Sequence, residues 1–302
     1  MKSLYYFIYL FSVLLLFSQC TSPAPEETQS IVEEEYTLAK PKPAWVSNRV
    51  SEATERLSSS EAGQLVLKSI NYHGGLATWW NNGPMYFRFN YQPRNGTGTP
   101  RDTYETADYW SSVARHQRVS DPNTEYGWTG SQAWYLPDSA EIPYNTRFWA
   151  LTPYYFAGMP FVFADEGVNL SAEEPVVYEG ETYDAVRVTF GEGVGDAPED
   201  YYVLYLHPET GRLSAIRYVV SYPGYFPDGG HSQEKLMTYE GEQKISGITL
   251  PEKHRTFMWE ADGSMGDYVT DITLGDVRFR PEIEKSYFEA PEGSYIMTSL
   301  TD

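Results

Sequence analysis

Residues Asp200–Tyr222 read DYYVLYLHPETGRLSAIRYVVSY. Two runs rich in β-branched and aromatic residues flank Pro208-Glu209-Thr210-Gly211, with proline early and glycine late, as a tight turn requires. This is a β-hairpin, and its arms are mates in an antiparallel sheet. The same signature extends on both sides. Upstream, Tyr183–Phe190 alternates as YDAVRVTF. Downstream come Gln233–Glu240, Gln243–Leu250, His254–Trp259 and Tyr268–Phe279, the last with Gly275 inside it as a bulge position. Each strand has one apolar face and one that can meet water. A large antiparallel sheet fits that pattern better than a parallel one, whose strands are buried on both faces.

The first half repeats the architecture without a sequence repeat. Met85–Tyr91 alternates with period two, and strands follow at Asp102–Trp110, Ala114–Val119, Tyr126–Thr129 and Gln132–Tyr135. Ahead of them Ser59 or Ser60 caps a helix with Glu61 in its first turn. Ala62, Leu65, Val66, Ser69 and Ile70 give that helix its apolar face, and Gly74-Gly75 interrupts it before Trp79 and Trp80. The expected fold is mainly β (α+β): one large curved antiparallel sheet, a half-barrel, wrapping a few helices.

Between the two halves lies Trp149–Gly167, WALTPYYFAGMPFVFADEG. Pro153 and Pro160 forbid a central strand. In one reading Asn145 or Thr146 caps a short helix through Ala150, and Pro153 to Pro160 is an irregular lid over an apolar cavity. In the other, the whole stretch is core. The lid reading makes Trp79, Trp80, Trp149, Tyr154, Tyr155, Phe156, Phe161 and Phe163 the candidate ligand-binding residues, for a lipid or other apolar small molecule.

Composition narrows the partners. The chain has 42 Asp and Glu against 22 Lys and Arg, a net charge of -20. Nucleic acid needs a basic face, so it is excluded as a partner, and charge attraction to anionic headgroups is disfavoured.

The N-terminus indicates a different route to a membrane. Lys2 precedes an apolar run, Leu4–Phe17, which is followed by Ser18-Gln19-Cys20. The run has the layout of an export signal and is short for a span. Cys20 is the single cysteine of 302 residues. Residues 1–19 are expected to be a lipoprotein signal peptide and Cys20 the lipid attachment site, palmitate included. Residues 20–58, acidic and proline-rich, are expected to be a tether, and residues 59–302 a single curved-sheet domain. The expected location is the outer membrane or cell surface, lipid-anchored, with the domain in the periplasm or outside.

Five features recur together: the lipobox-like start, the helix ending at Tyr72-His73-Gly74-Gly75 with Trp79 after it, MPFVFADEG at 159–167, YYVLYLHPETGRL at 201–213, and ISGITLPEKHR at 245–255. On these the chain resembles uncharacterised lipoproteins of Bacteroidota and, more distantly, the LolA/LolB-like lipoprotein carrier and receptor fold. The resemblance covers about residues 59 to 290. It implies an antiparallel sheet curved around helices, with apolar space between them for acyl chains. It implies no catalytic residues.

Nothing in the residues themselves points to chemistry either. His73, His116, His207, His231 and His254 are scattered, with no H-E-x-x-H and no cysteine pair, so no metal and no cofactor is expected. His73 reads as a packed helix residue. Asp262–Asp267 lacks the ligand pattern of a calcium loop and reads as a hairpin turn. There is no G-x-S-x-G elbow, and GEGVG at 191–195 is followed by no lysine and reads as a loop. The leading function is therefore a membrane-anchored envelope lipoprotein binding or carrying an apolar ligand. The alternatives are an accessory or scaffold subunit with an envelope protein partner, and last a carboxylate-using hydrolase.

Overall fold

Period-two alternation becomes sheet wherever the sequence shows it. The computed structural model describes residues 36–300 apart from 95, 97, 138, 140 and 198. Residues Thr37–Asp302 form one compact unit. The signal segment, Cys20 and residues 20–35 of the expected tether lie outside the described residues.

Three helices lead: α1 Pro43–Ser58, α2 Glu61–Tyr72 and α3 Leu76–Asn81. Helix α1 corrects the expected tether, which cannot run to residue 58. Pro43 occupies the first helical turn, where its missing N–H costs nothing. Val46, Ala53 and Leu57 are buried along one face, with Val50 packed beside them. Arg49 lies between the rings of Trp80 and Trp110, 4.6 and 4.7 Å from their centroids, and pairs with Asp165. Helix α2 starts as expected: the Ser60 hydroxyl accepts the Gly63 amide at 3.1 Å. His73, at its end, is packed. Its Nδ1 lies 2.8 Å from the Thr249 carbonyl oxygen, and Nε2 accepts the Leu213 amide.

The strands are β1 Met85–Pro93, β2 Arg101–Asp108, β3 Val113–Arg118, β4 Glu125–Trp128 and β5 Ala133–Leu136. After helix α4, Thr146–Gly158, come β6 Val168–Tyr178, β7 Glu181–Phe190, β8 Tyr202–Leu206, β9 Leu213–Tyr218 and β10 Lys235–Thr238. The last are β11 Gln243–Ile245, β12 Ile248–Leu250, β13 Lys253–Trp259, β14 Met265–Phe279 and β15 Tyr295–Ile296. Thirteen of them form one open antiparallel sheet, ordered β15-β5-β4-β3-β2-β1-β14-β13-β10-β9-β8-β7-β6.

Two strand expectations change. Gln243–Leu250 is a separate hairpin, β11–β12, because Ser246 and Gly247 take φ of 50° and 82°, the left-handed pair that a two-residue hairpin turn demands. Edge strand β6 was not foreseen, since SAEEPVVY is acidic and holds Pro175. At an edge a proline forfeits no ladder bond, and the register with β7 shifts between Glu173 and Val176.

Both faces of the sheet are used. The inner face, toward the helices, carries Phe87 and Phe89, Val186 and Val188, Leu204, Ile216, Met237, Ile272 and Leu274 in the main core. The outer face of β7–β10 carries a second cluster: Tyr183, Ala185, Val203, Tyr205, Ala215 and Leu236.

Helix α4 starts as the sequence indicates, with the Asn145 side chain accepting the Phe148 amide at 2.8 Å. It does not stop at Ala150. It continues through Pro153 to Gly158, so the irregular lid is a helix. Proline inside a helix costs about 3 kcal/mol. The surroundings offset that cost by holding the helix backbone from the sheet. Tyr109 donates its hydroxyl to the Tyr154 carbonyl at 2.9 Å, and Tyr239 donates to the Phe156 carbonyl at 3.2 Å. His116 Nε2 bonds the Ala150 carbonyl at 3.0 Å. Gly158 permits the closest approach: a Cβ there would stand 2.4 Å from Tyr109 Cε1.

Candidate ligand cleft beneath the fourth helix

Apolar side chains on α4 face both the sheet and the loops beyond its edges, and they do not fill the space completely. Two clefts open on either side of Phe148 and Phe156. One, about 290 Å³, lies between α4 and the inner face of β1, β9, β10, β13 and β14. Its walls include Tyr91, Trp149, Tyr218, Val220, Tyr225 and Met237. The other, about 130 Å³, lies toward β7 and β8, where Leu151, Tyr155, Phe190 and Tyr202 meet the loop at 194–197. Phe148, Thr152, Phe156, Tyr218 and Val220 border both.

Of the residues expected to bind a ligand, Trp149, Tyr155 and Phe156 line these clefts. Trp79, Trp80, Tyr154, Phe161 and Phe163 do not; they are buried among themselves and their neighbours. Trp79 stacks on Phe161 at 4.3 Å and meets Tyr109 at 4.6 Å. Tyr109 in turn stacks on Tyr154 at 4.2 Å. These rings are the platform under the C-terminal half of α4. The two readings of the aromatic stretch thus divide it: its start borders a cleft and its end is core.

Sequence reasoning missed Phe148, Tyr218, Val220 and Met237. The signal for the strand residues was present, since Tyr218 and Met237 occupy inward positions of apolar strands. What was absent was any indication of which inward positions α4 leaves uncovered.

Five charged groups border or adjoin the clefts: Arg147, Asp196, Asp200, Lys235 and Arg101. Arg147 is paired with Asp196 at 2.6 Å and lies over the Trp128 ring, 3.6 Å from its centroid. Asp200 accepts the Ser221 amide at 2.5 Å, yet burial pushes its carboxyl up to about 6. Lys235 projects from the inner face of β10, with Nζ 3.3 Å from the Ser232 hydroxyl and 5.9 Å from the Tyr218 ring centroid. Burial lowers its pKa, and the charge of Asp200 opposes that shift. Arg101 lies flat on the Trp149 ring at 3.5 Å and also adjoins Tyr144.

Behind α4, outside both clefts, Glu105 and His116 form a fully buried pair with Nε2 3.5 Å from Oε2. Desolvation raises the Glu105 carboxyl well above its usual range and lowers His116 to about 4. Both shifts disfavour the charged forms, as burial in a dry site does. His116 stacks on Tyr126 at 4.3 Å. This pair supports α4 and has no open space beside it among the described clefts.

Among the described residues, no group of His, Cys, Asp and Glu is placed to hold a metal ion. No described helix is long and apolar enough to cross a membrane. What the arrangement offers is concave apolar space walled by aromatic rings, with a few charged groups at its borders.

No protein-family model and no curated protein matches the chain. Solved structures do. A LolA superfamily protein from Nitrosomonas europaea superimposes with a TM-score of 0.50 at 11% identity, over 76% of this chain and 99% of that one. A protein from Vibrio parahaemolyticus, described as an outer membrane lipoprotein-sorting protein domain, gives 0.45 at 10% identity, over 75% of this chain and 95% of that one. A DUF1329 family protein from Desulfovibrio piger gives 0.45 at 11% identity, over 81% and 97%. The fold is LolA-like, an open antiparallel sheet with helices on its inner face.

Proposed function

We propose, with the LolA-like fold as premise, that this domain binds the apolar chain of a lipid or other small molecule between α4 and the sheet. The observation that carries the proposal is the pair of clefts flanking Phe148 and Phe156, about 290 and 130 Å³. The larger is near the lower end of small-molecule sites, about 300 Å³. Its walls are mostly aromatic and aliphatic, from β1 across to β10, with Thr152, Ser232, Lys235, Thr256 and Thr270 among them. The role is binding or carriage, not catalysis. Cys20 is the proposed lipid attachment site, and it would hold the domain at the outer membrane or cell surface through residues 21–36. The support for it is a single cysteine placed directly after an apolar run and before an acidic, proline-rich segment.

Native mass spectrometry of the Thr37–Asp302 unit tests the cleft. The expected result is a lipid-sized mass adduct, or uptake of added fatty acid. A Thr152→Trp variant, which fills the space both clefts share, should lose it. Protein that is always empty and takes up nothing would sink the reading. The anchor is tested separately by Cys20→Ala in the full chain. That variant should lose acyl labelling and leave the membrane fraction, or persist as an unprocessed precursor, while the domain stays folded. A variant processed and membrane-bound like the parent would remove Cys20 from the account.

A further inference from the structure

The chain has nearly two acids for every base, so a cation without a carboxylate partner is not explained by scarcity of acids. On the outer face three arginines are paired. Arg187 bonds Glu173 at 2.5 Å, Arg217 bonds Glu234 at 3.0 Å and Arg255 bonds Glu240 at 2.6 Å. Within the smaller cleft Arg147 has Asp196. Lys235 and Arg101, on the cleft side, differ from these. Among the described residues, neither has a carboxylate within ion-pair distance. Lys235 Nζ bonds a serine hydroxyl. Arg101 gives one N–H to the Thr99 carbonyl at 2.8 Å, lies over Trp149, and keeps a buried Nε with no partner.

Lys235 borders the larger cleft directly, and Arg101 lies behind one of its walls, stacked on Trp149. Lys235 has the same strand parity as Met237, so its ammonium shares the inner face with the apolar wall. A partly buried ammonium without a counter-ion is costly, and an ordinary apolar ligand would worsen it by excluding water. A ligand that brings its own negative charge removes the cost. The nearby acid, Asp200, borders the other cleft, accepts the Ser221 amide and is not within ion-pair distance of Lys235.

We propose that the ligand of this cleft is an anionic amphiphile, an apolar chain ending in a carboxylate or phosphate. Lys235 takes the head, with Arg101 as a second positive group, and Phe148, Phe156, Val220 and Met237 take the tail. The proposal rests on the cleft being a binding site, and it names the class of molecule that fits it.

The experiment is calorimetric titration of the Thr37–Asp302 unit with four probes of equal tail, each below its micellar concentration: dodecanoate, dodecyl phosphate, dodecanol and dodecyltrimethylammonium. The two anions should bind at least about tenfold more tightly than the alcohol, since hydrogen bonds to charged groups contribute about 1.5–3 kcal/mol. The cationic probe should bind most weakly. Lys235→Met keeps the apolar stem; it should erase most of the anions' preference over dodecanol. Lys235→Arg should retain the preference. If dodecanol binds as well as the anions, or the preference survives Lys235→Met, the head-group assignment is overturned and the apolar cleft stands. If none of the four binds, both the cleft and the head-group assignment fall. Relative affinities of dodecanoate and dodecyl phosphate decide whether the head is a carboxylate or a phosphate.

Discussion

The inner and outer faces of strands β7–β10 are built from alternate residues of the same four segments, and both are apolar. Val186, Leu204, Ile216 and Met237 point inward, while Ala185, Val203, Ala215 and Leu236 point outward. They are finished differently. Outside, the cluster is roofed by Tyr178, Tyr201 and Trp259 and by paired charges: Arg187 lies over Tyr201, and Arg217 over Tyr205 and Trp259. The hollow on that side, about 240 Å³, is bordered by Glu179, Arg212, Glu240 and Arg255. Inside, the roof is helix α4, held at a few backbone carbonyls, with apolar clefts beneath it and cations left unpaired. Buried apolar area is thus common to both faces. The outer cluster is roofed by rings and by several paired charges, whereas the inner face keeps apolar clefts with Lys235 in a wall.

The largest effect is expected at the platform under α4. Trp79 is buried, stacked on Phe161 and tilted against Tyr109. Trp79→Ala should cost about 3–5 kcal/mol in chemical denaturation. A loss below 1 kcal/mol would mean that these rings are not the packed base of the lid.

Next in size is the electrostatic contrast. Inner-face His116 and His254 are both lowered to about 4 by burial. Below pH 6.5 the unfolded chain takes up protons that the native rings refuse, so these groups draw stability away as pH falls from about 6.5 to 4. Above 6.5 they draw none. Each ring accounts for about 3 kcal/mol across that window, at about 1.4 kcal/mol per pH unit. Asp200, raised to about 6, acts in the opposite sense between its unfolded value and 6. The outer face behaves the other way from the histidines in origin but not in direction. Burial would raise Asp271, yet hydrogen bonds from Tyr268, Arg94 and Lys253 bring it down to about 2, so its contribution is present above pH 4 and is lost below. Ring-proton NMR titration reads the histidines directly. Protonation of either ring above pH 6 would contradict a dry inner face.

A smaller effect is expected from the lid's fastening. Tyr239→Phe deletes the hydroxyl that bonds the Phe156 carbonyl. It should cost about 1 kcal/mol and speed amide exchange in α4 more than in β8. Equal exchange rates in the variant and the parent would show that the lid is held by packing alone.

The smallest effect belongs to the outer face. Arg255 and Glu240 are partly exposed partners. Arg255→Met should change stability by about 0.2–1 kcal/mol and leave dodecanoate affinity within error of the parent. A large fall in affinity would move the ligand site to the outer face.

The sequence by itself determined the sheet, because side-chain alternation is a local property of the strand: YDAVRVTF and DYYVLYLH declare their two faces without knowing their neighbours. It also narrowed the caps to Ser59 or Ser60 and to Asn145 or Thr146, since a cap needs only a side-chain oxygen three residues before an amide; the structure selects Ser60 and Asn145. It held the α1 stripe at Val46, Val50, Ala53 and Leu57 as well, although acid and proline nearby gave that segment the composition of a tether. Tertiary structure decided the rest. Helix α4 passes through Pro153 because Tyr109, His116 and Tyr239, on three other strands or loops, bond its carbonyls, and no local rule can report donors so distant in sequence. Strand β6 forms around Pro175 because an edge position asks nothing of the missing N–H. The clefts are gaps in packing between α4 and the sheet, fixed by how far one element stands from another. Whether Lys235 has a partner is likewise a matter of distance in space, and the sequence records only that acids are plentiful.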